Sequence, residues 1–134
     1  MKSKPVLTLE DVKKIAAAAE AEAVKNNWAV TISIVDDGGH LLWLQRLDGA
    51  APVSAWIGPQ KAITAAIGRR ESAVYEKMVN EGRMSFLAVT PVTPLEGGVP
   101  IIVEGQYVGA VGVSGVKSSE DVQIAKAGIA ALGS

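Results

Sequence analysis

Apolar and polar positions recur with two different periods along the chain, and the changes of period mark out eight elements. Leu9, Val12, Ile15, Ala16, Ala19 and Ala23 are spaced as one face of a helix. Thr8-Leu9-Glu10-Asp11 before them has the form of a capping box, the Thr8 hydroxyl meeting the Asp11 amide and a carboxylate returning the contact. Lys25 and Asn26-Asn27 close this helix. From Trp28 to Val35 the period drops to two, with Val30, Ile32 and Ile34 set against Thr31 and Ser33, which predicts a strand. Asp36-Asp37-Gly38-Gly39 is a turn signal, because Gly and Asp tolerate positive φ, and His40 to Leu47 reads as the returning strand of a hairpin.

Helical spacing returns between Val53 and Gly68, but Gly58-Pro59 interrupts it. Proline is best tolerated in a first helical turn, so the helix is expected to begin at about Pro59. Glu71 to Glu81 is a second, weaker helix, and Met84 to Pro94 is irregular. Ile101 to Glu104 and Tyr107 to Ser114 form a second hairpin about Gly105-Gln106. Ser118-Ser119-Glu120-Asp121 caps a last helix carrying Val122, Ala125, Ile129 and Leu132 on one face. The order α-β-β-α-α-β-β-α, with two hairpins separated by helices, predicts an α+β fold: one antiparallel sheet with helices packed on it.

Composition narrows what such a domain can do. With 134 residues, 49% hydrophobic and 20% charged, the chain is long and apolar enough for one ordered domain spanning residues 1–134. Its formal net charge of −1 and 4% aromatic content argue against a nucleic-acid partner. The absence of cysteine excludes disulfides, thiol nucleophiles and cysteine metal sites, and the single histidine excludes a site built from several His ligands. Neither a signal peptide nor an apolar run long enough to span a bilayer is found, so the expectation is a cytoplasmic protein without a membrane partner.

The candidate chemistry lies at a few positions, each with a bland alternative. Glu96-Gly97-Gly98-Val99-Pro100 reads equally as a bulged strand entry and as a loop through which backbone approaches a ligand. Gly109 to Gly115 runs from strand into helix, where amides can meet an anion, although small residues that admit a close-packed helix explain it better. His40 is a candidate haem ligand or proton donor, or else a turn residue paired with Asp36 or Asp37. Arg46 and Asp48 read as an ion pair. Lys61, Arg69 and Arg70 are about two helical turns apart and make the best anion-binding cluster, unless they are simply a solvated face. Tyr75, Met78 and Met84 can ligate haem iron, but core filling is the commoner use of methionine. No Ser-His-Asp set is indicated.

Taken in order, Ile34-Val35-Asp36-Asp37-Gly38-Gly39-His40-Leu41, Leu47-Asp48-Gly49-Ala50, Lys61-Ala62, Gly97-Gly98-Val99-Pro100-Ile101 and Val108 to Gly115 resemble the GlcG/HbpS family, which includes the C-terminal domain of PduO-type proteins. The likeness runs from about Leu9 to Leu132. It implies a profilin-like α+β fold and a homo-oligomer, a dimer or higher, often an octamer. It implies a small-molecule ligand, with haem or a related tetrapyrrole the best supported. On that reading Lys61 and Arg70 pair with propionates, and His40 or a methionine is the metal ligand. The alternative is an enzyme or accessory factor acting on a small organic acid in a catabolic operon. There Glu96 is the catalytic base, the Gly97, Gly98 and Gly115 amides hold an oxyanion, and Lys61 holds the carboxylate. The alanine stretches Ala16 to Ala23 and Ala62 to Ala66 are smooth enough for another helix to approach, and Trp56 with Val53 and Ile57 reads as a subunit contact, or else as part of the monomer's own core.

Overall fold

A computed structural model describes residues Met1–Gly133. The elements are α1 (Leu9–Lys25), β1 (Thr31–Asp36), β2 (Leu41–Arg46), α2 (Ser54–Gly68), α3 (Ser72–Asn80), β3 (Gly98–Val103), β4 (Gln106–Ser114) and α4 (Ser118–Ala130). A short 3-10 turn, Met84–Ala88, lies in the irregular stretch, and a second, Ala131–Gly133, follows α4. The order is the expected α-β-β-α-α-β-β-α. The four strands form one antiparallel sheet in the order β2-β1-β4-β3.

The inner strands β1 and β4 are buried on both faces, and their side chains divide by size. Ile32, Ile34, Val111 and Val113 join Val12, Ile15, Ile124 and Ala125 in the main core under α1 and α4. Thr31, Ser33 and Gly112 point the other way, toward α2, where Val35, Ala62, Ala65, Ala66 and Ala110 form a second, smaller core. The large face therefore supplies most of the apolar burial, and the small face lets a helix approach the sheet closely. An added Cβ on Gly112 would stand 2.2 Å from the Gly58 carbonyl oxygen and 2.4 Å from the Ala62 nitrogen. On Gly98 it would stand 2.1 Å from the Lys61 carbonyl oxygen. The hydroxyls stranded on this face are satisfied within it: Thr31 and Ser54 hydroxyls are 2.7 Å apart, and Ser33 donates to the Gly112 carbonyl at 2.8 Å.

Three local expectations are corrected. α2 begins at Ser54, five residues before Pro59, so the proline lies inside the helix. The second hairpin turns on Glu104 and Gly105, with φ of 52° and 75°, and Gln106 already belongs to β4. That pair of positive φ values is the two-residue turn that matches strand twist. α4 is capped from Lys117, whose N–H donates to the Glu120 carboxylate at 3.2 Å. The capping box of α1 forms as expected, with Asp11 N–H donating to the Thr8 hydroxyl at 3.2 Å and Thr8 N–H to the Asp11 carboxylate at 2.9 Å.

The alanine stretches are internal contacts. Ala16, Ala19 and Ala23 are buried, and α1 packs on α4 where Gly128 meets Ile15 and Ala19. Ala62, Ala65 and Ala66 lie against the sheet. Trp56 and Val53, by contrast, are 74% and 56% exposed and take no part in either core.

The packing of α2 makes Gly112→Ala a strong test. It is expected to destabilise the protein by about 3 kcal/mol or more, since the methyl group meets backbone atoms that no rotamer change can move aside. Urea unfolding measures the effect, and a loss within experimental error would mean that α2 is free to lift off the sheet.

Candidate functional site

The residues singled out by sequence fall into two places. One is the seam where α2, β3 and the start of α4 meet. Lys61 leaves α2 and runs past Gly97, whose added Cβ would come within 2.7 Å of the Lys61 Cδ and Nζ. The ammonium then donates to the Val113 carbonyl at 3.0 Å and to the Asp121 carboxylate at 3.1 Å. Asp121, in the first turn of α4, also accepts from Val116 N–H at 3.2 Å. Lys61 is 4% exposed and Asp121 1%. Burial pushes the Asp121 carboxyl up to about 6, and the Lys61 charge and the hydrogen bonds offset that rise only in part.

This overturns the grouping of Lys61 with Arg69 and Arg70. Lys61 is enclosed, while Arg69 lies over the Tyr107 ring at 5.8 Å and Arg70 over the Tyr75 ring at 5.6 Å, both exposed. Two of the three ammonium donors of Lys61 are engaged inside the protein, so it does not meet a propionate or a substrate carboxylate in this arrangement. Sequence spacing put the three cations on one helix, but Arg69 is already the left-handed C-cap of α2, with φ 54°, and the chain turns there.

The glycines show the same shift of role. Gly98 N–H donates to the Ser72 hydroxyl at 2.8 Å, and Glu96 N–H donates to the Glu76 carboxylate at 3.1 Å. Ser72 and Glu76 lie one turn apart on α3 and so hold the whole 96–98 segment. The Gly98 amide is therefore committed, and does not point at an oxyanion. Gly97, at φ 137°, makes room for Lys61, and its carbonyl accepts from Val113 N–H at 3.0 Å. Gly115, at φ 145°, lets the exit from β4 cross the chain at Ala29, whose carbonyl oxygen an added Cβ would meet at 2.6 Å. Glu96 itself is half-buried. Asp121 and Ser72 are the residues that sequence reasoning missed. Asp121 has only the signal of a helix cap and Ser72 has none, and nothing local marks them as partners of positions 60 and 26 residues away.

The second place is the tip of the first hairpin. Asp36 accepts from the Gly38 and His40 amides, both at 2.9 Å, and so shapes the turn. The His40 Nδ1 lies 3.1 and 3.2 Å from the two Asp36 carboxylate oxygens. A carboxylate only accepts, so Nδ1 carries the hydrogen, and in the neutral ring Nε2 is the nitrogen with a lone pair. The imidazole is 79% exposed. Beside it, Gly39 packs on Ile63 and Ile67, while Leu41, Leu42 and Ile67 remain exposed. Arg46 and Asp48 form no ion pair with each other among the described residues. Tyr75 is buried edge-on to Phe86, Met78 is half-buried, and Met84 is 57% exposed.

Among the described residues no cluster of three or more His, Asp or Glu could hold a metal ion, and no helix is long and apolar enough to cross a membrane. The fold and these two places define a small α+β domain with a filled interior, whose exposed chemistry lies at a hairpin tip. The chain belongs to the GlcG/HbpS family. A family model described as haem degrading protein HbpS-like matches residues 7–130. Protein GlcG of Escherichia coli K12 is 54% identical over 114 residues, 85% of each chain. A crystal structure of a double mutant of Streptomyces reticuli HbpS superposes with a TM-score of 0.91 at 32% identity, covering 100% of this chain and 92% of that one. The PduOC–heme complex superposes with a TM-score of 0.87 at 27% identity over 95% of each chain.

The Lys61–Asp121 pair generates a signed prediction. A carboxyl raised from 3.8 to about 6 binds its proton more tightly in the folded state. Its contribution to stability therefore falls as pH rises from about 4 to about 6 and is flat above. The stability difference between wild type and Asp121→Asn, from urea unfolding across that range, is expected to shrink with rising pH. A difference that grows would mean that attraction to Lys61 outweighs desolvation. Lys61→Met leaves Asp121 buried without its counter-charge and is expected to cost about 3–5 kcal/mol at neutral pH.

Proposed function

We propose that this protein binds haem or a related tetrapyrrole at the tip of the first hairpin, with His40 as the iron ligand and the binding site completed by a second copy of the chain. The observation that carries the reading is His40 itself. Its Nδ1 is tied to Asp36 and its Nε2 lone pair faces outward, an arrangement in which a carboxylate fixes the tautomer and orientation of a ligating imidazole. The exposed side chains of Leu41, Leu42 and Ile67 supply apolar surface for a flat ring, and the family contains a haem-bound relative. Bound haem would supply redox and oxygen chemistry; the protein's part is to ligate the iron and cover the ring.

The alternative, catalysis on a small organic acid at Glu96, has lost two of its parts. Lys61 is turned inward and the Gly98 amide is bonded to Ser72. No observation favours it over ligand binding.

Titration with haemin tests the reading. The wild type is expected to shift the Soret band and saturate at one haemin per chain. His40→Ala is expected to weaken binding about ten-fold, the scale of one lost strong bond, and to alter the bound spectrum. The absence of a Soret shift in the wild type refutes haem as the ligand, and an unchanged spectrum in His40→Ala refutes the ligation.

The oligomer is proposed on Trp56, Val53 and Ile57. The first two are mostly exposed, so a Trp on a helix face is left without cover in a single chain. Sedimentation at micromolar concentration is expected to give a species of at least dimer mass. Trp56→Asp is expected to dissociate it with the circular dichroism retained. A wild-type monomer overturns the proposal.

A further inference from the structure

A groove of about 590 Å³ lies on the same end of the molecule as the hairpin tip, lined by Lys2, Lys4, Arg69, Gly105, Gln106 and Tyr107. We infer that it is a binding site for a small polyanion carrying carboxylate or phosphate groups. This does not depend on the haem reading.

The lining holds three cations and no acid. They come from segments far apart in sequence, the N-terminal arm and the end of α2, so their convergence is a product of the fold. The arm is fixed where it lies: Gln106 Nε2 donates to the Ser3 carbonyl at 2.9 Å, and Lys4 is bonded to Asp37. Arg69 lies against the Tyr107 ring, which orients the guanidinium without consuming its hydrogen-bond donors. Neither Lys2 nor Arg69 forms an ion pair among the described residues. Asp37 beside Lys4 is the one counter-charge these three cations have, so an excess of positive charge remains, and an oxyanion relieves that repulsion while taking the paired donors of a guanidinium.

Arg69 also holds a backbone conformation that glycine would adopt more easily. Its φ is 54°, and an L side chain in the left-handed region is disfavoured by about 1–2 kcal/mol. A cation at a helix C-terminus is favourable on its own. That does not explain why two lysines from another segment share the groove with it. The volume suits a ligand of small-metabolite size.

Asp37 is the competing anion. It holds Lys4, and that contact keeps its carboxyl below the usual range. Removing its charge should therefore strengthen binding, which a merely structural role for these residues would not produce.

Calorimetric titration of the whole protein with pyrophosphate and with citrate, at low ionic strength and without haemin, tests the inference. At least one probe is expected to bind saturably at one per chain. Arg69→Gly, which keeps the backbone comfortable, is expected to weaken it about ten-fold, and Lys4→Gln in the same direction. Asp37→Asn is expected to tighten it. Arg70→Gln makes the same change of net charge as Arg69→Gly but lies over Tyr75, and is expected to have little effect. Preference for pyrophosphate identifies a phosphate ligand and preference for citrate a polycarboxylate. The inference is overturned if neither probe saturates, or if Arg70→Gln weakens binding as much as Arg69→Gly, since the cause would then be the general field of the surface.

Discussion

The closeness of α2 to the sheet is the constraint on which the rest of the molecule depends. At Gly98 and Gly112 the separation is set by backbone against backbone, Gly98 facing the Lys61 carbonyl and Gly112 the Gly58 carbonyl. A helix held that near cannot bury large residues beneath it, so that face of the sheet carries Thr31, Ser33, Ala110 and Gly112, and the helix answers with Ala62, Ala65 and Ala66. Burial energy must then come from the other face, where isoleucines and valines meet α1 and α4. The two faces are unequal because the spacing on one side dictates it.

The same closeness determines what Lys61 can do. Its carbonyl sits on Gly98 and its side chain on Gly97, and the ammonium runs along the end of β4 to Asp121. An ion pair thereby joins a helix on one face of the sheet to a helix on the other. Buried pairs add little net stability over a well-packed apolar alternative, but each partner is costly to remove alone. The pair fixes the relative register of α2 and α4, and with the amides held by Ser72 and Glu76 it closes the interior to a ligand.

The elements were legible because their signals are local. The capping box at Thr8, the Asp-Gly turn before His40 and the change of period at Trp28 depend on residues within a few positions of one another. The start of α2 was not, because Pro59 carries a strong local signal that tertiary packing overrides: the buried Ser54 bonds Thr31 of the sheet, and Gly58 lies against Gly112. The glycine motifs were legible as places of close approach, but a glycine needed for a ligand and one needed for a neighbouring backbone look identical in sequence. Lys61 shows the same limit. Its charge drew it into an anion site, whereas the carboxylate it meets lies 60 positions away. His40 was readable in two senses, and the pairing with Asp36 bears out the turn residue, while the ligand role is the proposal made above.

The sheet has two edges, and they are built differently. β3 carries Pro100, which removes a donor from the strand, and only Ile102 of its large side chains is strongly exposed. β2 has no proline or lysine, and Leu41, Leu42 and Leu44 are all exposed. An edge strand with that many exposed apolar side chains invites association, even with the bulge at Leu42 and Arg46 at its end. It is also the strand that begins beside His40, so cover supplied along β2 would lie next to the imidazole. Closing the edge and enclosing a ligand at the hairpin tip are therefore, by position in the fold, demands that one neighbouring surface can meet.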